Sequence, residues 1–247
     1  MTYLFAPSNR RVLRRFARSN VLIALDYDGT LAPIVSVPQR AALRPPTRRL
    51  LRRVSACYPC VVISGRARRD LIDRIGANEG CRVVGNHGAE PSPATAAMRR
   101  LVRSWLPILR ARLRRCPGVL IEDKGCSLAV HYRHAASRAA ARRAVLAASE
   151  LIEGARVIGG KQVVNLVAVW APHKGVALER ERLRAGCEAA IYVGDDDTDE
   201  DVFRVALCGR LMSIRVGRAQ TSAARYYIHR QTEIDRLLEA LVALRTH

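Results

Sequence analysis

The sequence predicts an α/β fold: a doubly wound, mostly parallel sheet interrupted by a small inserted α/β domain. Three observations carry this. The apolar runs Val21–Asp26, Cys60–Ser64 and Ala190–Gly194 each lead into a polar or acidic segment, as expected of buried parallel strands whose C-terminal ends form a site. Helical patterns alternate with these runs, which implies right-handed βαβ crossovers. Between Pro91-Ser92-Pro93 and Pro172 that rhythm gives way to hairpins.

The elements follow in order. After Val21–Asp26 comes a loop rich in proline (Pro33, Pro38, Pro45, Pro46) and a helix around Thr47–Cys57. Cys60–Ser64 is the second strand, 68–75 a helix, and 82–85 a third strand that runs into Asn86-His87-Gly88-Ala89-Glu90. The insert begins with a basic helix over 97–115. The strands 119–122 and 127–133 then flank a turn at Lys124-Gly125, which makes a hairpin. A helix rich in Ala and Arg over 136–153 precedes a second hairpin, 157–158 and 162–169, with Gly159-Gly160 read as its turn. The core resumes with a helix over 175–185, the strand 190–194, a helix near 200–206, the strand 211–216 and a closing helix over 233–244. Residues 1–92 and 172–247 are thus read as the core, and 93–171 as an inserted cap.

Composition narrows the function. At 49% hydrophobic and 26% charged the chain is an ordinary globular one. A net charge of +20 first suggests nucleic acid. However, aromatic residues are only 5% and the arginines are dispersed along helices, without the aromatic interleaving of a single-strand binder. Only three of the 42 basic residues are Lys, namely Lys124, Lys161 and Lys174. They are therefore candidates for places where a compact ammonium is needed and a planar guanidinium does not fit. Of seven cysteines, Cys57-Tyr58-Pro59-Cys60 has redox spacing, but no second pair completes a zinc site. The cysteines are read as small core residues in a reducing compartment. Arg10 to Arg18 interrupts any apolar leader, and no run reaches membrane-span length. A soluble, cytoplasmic monomer is expected, with no nucleic-acid or membrane partner.

Chemistry concentrates at strand ends, where doubly wound sheets bind ligands. Asp26, Ser64, Asn86 and Asp195 all stand there, with Asp26 and Asp195 roughly 170 positions apart in the chain. Carboxylates beside a core are costly unless they hold a cation or do chemistry. Asp26 is a candidate nucleophile, and Asp28 beside it a proton donor and acceptor. Asp195 and Asp199 complete a cage of hard oxygens suited to Mg²⁺. Lys174 would place positive charge against a phosphoryl group. The Ser64 hydroxyl and Gly65 N–H suit phosphate at a helix entry, and Arg66 follows them closely enough to reach substrate. A calcium loop is excluded, because its twelfth position is Val37 and not glutamate.

Asp26-Tyr27-Asp28-Gly29-Thr30, Ser64, Lys174 and Gly194-Asp195 with Asp199 resemble the signature motifs of the haloacid dehalogenase superfamily of phosphatases. That resemblance implies attack by Asp26 on phosphorus to give an aspartyl-phosphate. Asp28 would protonate the leaving oxygen and then activate water, and Mg²⁺ would be held by Asp26, the Asp28 carbonyl and Asp195. Asp26–Leu31, Ser64-Gly65-Arg66, Asn86-His87-Gly88-Ala89-Glu90, Gly194–Glu200 and the segment Glu122–Arg133 look more narrowly like the trehalose-6-phosphate phosphatases. By this resemblance Glu122, Lys124 and Arg133 grip the disaccharide phosphate, and Lys161 continues the pattern. Asn86, His87, Gly88 and His131 join them as candidate substrate contacts.

One departure bears on substrate. Where that family has an acidic residue four positions after the cap lysine, this chain has Asn165, a neutral amide with one acceptor oxygen. The expected substrate is trehalose 6-phosphate. The alternatives are another sugar or glycosyl phosphate (glucosyl- or mannosylglycerate phosphate, sucrose phosphate) or a non-catalytic sugar-phosphate sensor. His173 is read as a loop residue, and Trp105 and Trp170 as core anchors.

Overall fold

A computed structural model describes residues 1–35, 37–76, 80–160, 162–205, 207 and 209–246. The chain opens with β1 (Thr2–Tyr3), α1 (Arg10–Arg18), β2 (Val21–Leu25), α2 (Pro45–Cys57), β3 (Cys60–Ile63), α3 (Arg68–Ile75) and β4 (Arg82–Val84). The insert carries α4 (Thr95–Leu113), β5 (Leu120–Asp123), β6 (Ser127–His131), α5 (Arg138–Glu150), β7 (Ala155–Gly160) and β8 (Val163–Ala168). The return supplies α6 (Lys174–Arg184), β9 (Ala189–Gly194), α7 (Glu200–Phe203), β10 (Leu211–Val216), β11 (Tyr226–Ile228) and α8 (Ile234–Thr246).

The described residues fall into two compact units, Met1–Gly88 with His173–His247, and Ala89–Pro172. The first holds a seven-stranded sheet in the order β1-β11-β10-β9-β2-β3-β4, parallel throughout. The chain leaves β2 toward β3 and β4, and later leaves β9 toward β10 and β11. The order therefore reverses at the β2–β9 pair, and the site is expected beyond its C-terminal end. Alternation along the strands feeds two cores. Ile23, Leu25, Val62, Ile191 and Ile214 pack with α1, α2, α3 and α8 on one face. Leu22, Ala24, Val61, Ile63 and Tyr192 pack with α6 and α7 on the other.

The second unit is a four-stranded antiparallel sheet in the order β5-β6-β8-β7. Leu128 and Val130 of β6 and Val164 and Leu166 of β8 bury against Met98, Val102, Trp105 and Leu109 of α4 and Val145 of α5. In-register pairing aligns Glu122 with Ala129, Ala129 with Asn165, and Asn165 with Ile158. By the two-residue period, Glu122 and Asn165 thus share the face away from α4 and α5.

Four details depart from the sequence expectations. Gly159 and Gly160 pair with Val164 and Val163 inside the ladder, so they form no turn. The chain reverses after them, at Gln162 with φ +63°. The helix expected near 200–206 spans only Glu200–Phe203, and Ala206 lies outside the described residues. Trp105 is buried as expected, but Trp170 is 49% exposed, because it falls in the turn after β8. Finally, β1, α1 and β11 went unread. Two strands of two or three residues carry too little pattern to see, and charge dominates α1, where only Leu13, Phe16 and Ala17 are buried.

Candidate active site

Strand β2 delivers Asp26 past its last residue, and the Asp26 N–H still bonds the carbonyl of Val193 at 2.9 Å. Helix α6 begins at Lys174, with the His173 ring capping it by accepting from Gly175 N–H. His173 is therefore a helix cap and no mere loop residue. The Lys174 ammonium is fully buried and lies 3.0 Å from Asp26 Oδ1 and 2.8 Å from Asp199 Oδ1. Burial opposes its charge, but the two carboxylates outweigh that cost and hold its pKa well above the usual lysine value. Burial likewise lifts Asp26 well above the ordinary carboxylate range, with Lys174 pulling the other way.

Asp199 organises the floor of this cluster. Its Oδ1 accepts from Lys174 and from the Tyr192 hydroxyl at 2.6 Å. Its Oδ2 accepts the N–H groups of Asp195 and Asp196 at 2.8 and 3.0 Å. A Cβ at Gly194 would sit 2.2 Å from Asp199 Cγ, so only glycine lets the strand end approach this carboxylate. Tyr192 escaped the sequence reading because a tyrosine inside an apolar strand looks like any core residue. Asp196 caps the next turn by accepting from Thr198 N–H and Oγ1.

One ligand oxygen each from Asp26, Asp195 and Asp199 lie within 4.8 Å of one another. Hard carboxylate oxygens at that spacing could hold a divalent cation. Both Asp199 oxygens also accept hydrogen bonds, so this carboxylate holds Lys174 and the Asp195 and Asp196 backbone.

Asp28 is gripped by Arg66. The guanidinium reaches its two oxygens at 2.6 and 2.7 Å, a bidentate fork. Arg66 also bonds Asp70 at 2.9 Å, and Asp70 in turn accepts from Arg74. Burial works against the Arg66 charge, but the bonds to Asp28 and Asp70 more than offset it and raise its pKa. Arg66, expected from the sequence as a substrate contact, here bonds Asp28 and Asp70. Asp70 and Arg74 were missed, since an i, i+4 pair on a helix reads as ordinary surface.

The loops after β3 and β4 are laced together. Ser64, buried, accepts the Arg66 N–H on its hydroxyl at 3.3 Å. The Ser64 carbonyl accepts from His87 N–H, and Asn86 N–H bonds the Arg66 carbonyl at 2.7 Å. Asn86 and His87 have φ of +49° and +57°, a conformation that non-glycine residues adopt mainly where structure demands it. Gly88 closes this turn with its N–H on the Gly85 carbonyl.

The remaining predicted contacts belong to the second unit. Within it His131 Nε2 lies 2.8 Å from Glu122 Oε2. Asn165 is buried with its Oδ1 lacking a hydrogen-bond partner among the described residues. Lys124 stands in the β5–β6 turn, its N–H on the Ser127 carbonyl, and Arg133 follows β6. Lys161 lies outside the described residues.

The parallel sheet with an inserted antiparallel unit and an acidic cluster at the β2–β9 end defines a haloacid dehalogenase-like α/β fold. Within it, the chain belongs to the trehalose-phosphatase family, whose model matches residues 24–229. It is 34% identical over 198 residues to the trehalose-phosphate phosphatase of Mycobacterium tuberculosis, covering 74% of this chain and 50% of that protein. The chain thus spans about half the length of the mycobacterial relatives it matches. The trehalose-6-phosphate phosphatase C-terminal domain of Candida albicans superposes with TM-score 0.80 at 21% identity, covering 95% of this chain and 97% of that one. The Aspergillus fumigatus trehalose-6-phosphate phosphatase gives 0.67 at 24% identity, covering 98% and 99%. No described helix is long and apolar enough to cross a membrane.

Proposed function

We propose that this chain hydrolyses trehalose 6-phosphate to trehalose and phosphate with Mg²⁺ as cofactor. The observation that carries the reading is the buried Asp26–Lys174–Asp199 constellation beside Asp195, in a chain of the trehalose-phosphatase family. Asp26 is the nucleophile: it attacks phosphorus, the ester bond breaks, and an aspartyl-phosphate forms. Asp28 donates a proton to the departing sugar oxygen, then takes one from the water that cleaves the acyl phosphate. Lys174 and the Ser64 hydroxyl stabilise charge on the phosphoryl oxygens. Asp26, the Asp28 carbonyl and Asp195 would hold Mg²⁺, with Asp199 fixing the Asp195 backbone. When bound, the ion would neutralise phosphoryl charge as a Lewis acid. On the family resemblance, Glu122, Lys124, His131, Arg133, Lys161 and Asn165 of the inserted unit are proposed to select the sugar, and Asn86, His87 and Gly88 of the core unit are proposed as substrate contacts in their own right.

Asn165 supports a second reading. A buried amide oxygen that has no hydrogen-bond partner among the described residues, in place of a carboxylate, suits a different glycosyl phosphate as well as a tolerated variant. Phosphate release from trehalose 6-phosphate, sucrose 6-phosphate, glucose 6-phosphate and glucosylglycerate phosphate, with Mg²⁺ and with EDTA, separates the two. Metal-dependent preference for the first is expected. Preference for another member would keep the mechanism and move the substrate; release from none would leave a sugar-phosphate sensor.

A further inference from the structure

The motif Cys57-Tyr58-Pro59-Cys60 has redox spacing, yet the fold puts its two cysteines on different elements. Cys57 ends α2, and Cys60 opens β3. The sulfur matched with Cys60 is that of Cys81. The parallel register pairs Val61 with Arg82, so Cys60 and Cys81 stand side by side one step earlier, and their Sγ atoms are 3.1 Å apart. Neighbouring strands run about 4.8 Å apart, inside the Cα separation of roughly 4.4–6.8 Å that a disulfide spans. Neither cysteine is in a disulfide; Cys60 is buried and Cys81 half-buried. Cys81 is thus the more exposed residue of the pair.

We propose that Cys60 and Cys81 form a disulfide site, driven by a hydroperoxide, that fastens the edge strand β4 to β3. The Cys81 thiolate attacks a peroxide oxygen, the O–O bond breaks, and Cys81 becomes a sulfenic acid. The Cys60 sulfur then attacks the Cys81 sulfur, the S–O bond breaks, and water leaves with the Cys60 proton. Two thiols lose two electrons, and one peroxide gains them to become hydroxide or alkoxide and water. The bond has a mechanical use. Strand β4 has three residues, lies at the sheet edge and, among the described residues, pairs only with β3. It nonetheless delivers Asn86 and His87, and so short an edge element is among the first to open locally. A covalent link at its N-terminal end restrains it without touching the opposite end, where Ser64 and Asn86 lie.

The test is hydrogen peroxide treatment of the whole protein, alkylation, and non-reducing peptide mapping. Because Cys57 and Cys60 share one tryptic peptide, mapping is repeated in Cys57→Ala. The expected result is a dithiothreitol-reversible link between Cys60 and Cys81 that persists in Cys57→Ala and is lost in Cys81→Ala. The oxidised protein should also melt a few degrees higher. A Cys57–Cys60 link, or Cys81 oxidised further while Cys60 stays alkylatable, overturns the site. A linked protein that melts lower overturns the fastening role. Mapping needs no substrate, so it stands apart from the sugar-phosphate reading.

Discussion

A side-chain carbon at Gly29 would lie 2.2 Å from Oδ2 of Asp195. The loop after β2 and the loop after β9 therefore interlock with no room for a methyl group. Gly29 also has φ +80°, a conformation that costs other residues about 1–2 kcal/mol. Gly29→Ala should displace Asp195 and lower kcat by roughly 100-fold or more, while circular dichroism reports an intact fold. Near-normal turnover in this variant would show that Asp195 need not sit where it does.

Asp26→Asn tests the nucleophile directly. The amide keeps the shape and loses the attacking oxygen, so turnover should fall below ~1% of the parent, in a folded protein. Greater residual activity in a preparation free of parent enzyme would remove Asp26 from that role.

Much of this site was legible in the sequence because costly residues advertise themselves. Acidic segments at the ends of apolar runs marked Asp26 and Asp195, and the scarcity of lysine singled out Lys174. The residues that hold them were less visible. Tyr192 and Asp70 join the candidate site only through partners that the fold supplies, Asp199 and Arg66. Nor did any local signal say that Arg66 would close on Asp28, 38 positions away. The strand order carried β1 and β11, which are too short to show a period.

Lys174→Met should destabilise the protein through the two carboxylates that it leaves behind. Breaking a buried pair costs about 3–5 kcal/mol. The raised Lys174 pKa means that its own contribution is complete at any pH below about 10.4 and fades only above it. In the variant, Asp26 and Asp199 bind protons more tightly when folded than unfolded, so its stability falls as pH rises from the ordinary carboxylate range. Without Mg²⁺, the gap in Tm from the parent should be wider near pH 8 than near pH 5. A gap that narrows with pH would mean that the pair is not what Lys174 neutralises.

Arg66 is expected to act through Asp28. Arg66→Ala should lower kcat by about 10–100-fold and move KM little, since an Asp28 without its fork loses its aim. Lysine cannot make two parallel bonds, so Arg66→Lys should recover little of the loss. A rise in KM at constant kcat would return Arg66 to the role of substrate contact.

Asn165 poses stability against specificity. Its buried Oδ1 has no hydrogen-bond partner among the described residues, and an unsatisfied buried acceptor costs about 1–3 kcal/mol. Leucine has a similar shape and no polar atoms. Asn165→Leu should therefore keep or raise Tm, while kcat/KM for the preferred sugar phosphate falls by roughly tenfold or more, as expected where a site holds a polar group ready for its ligand. If Tm falls and kcat/KM holds, the amide serves the hairpin and the choice of sugar lies with other residues of the inserted unit.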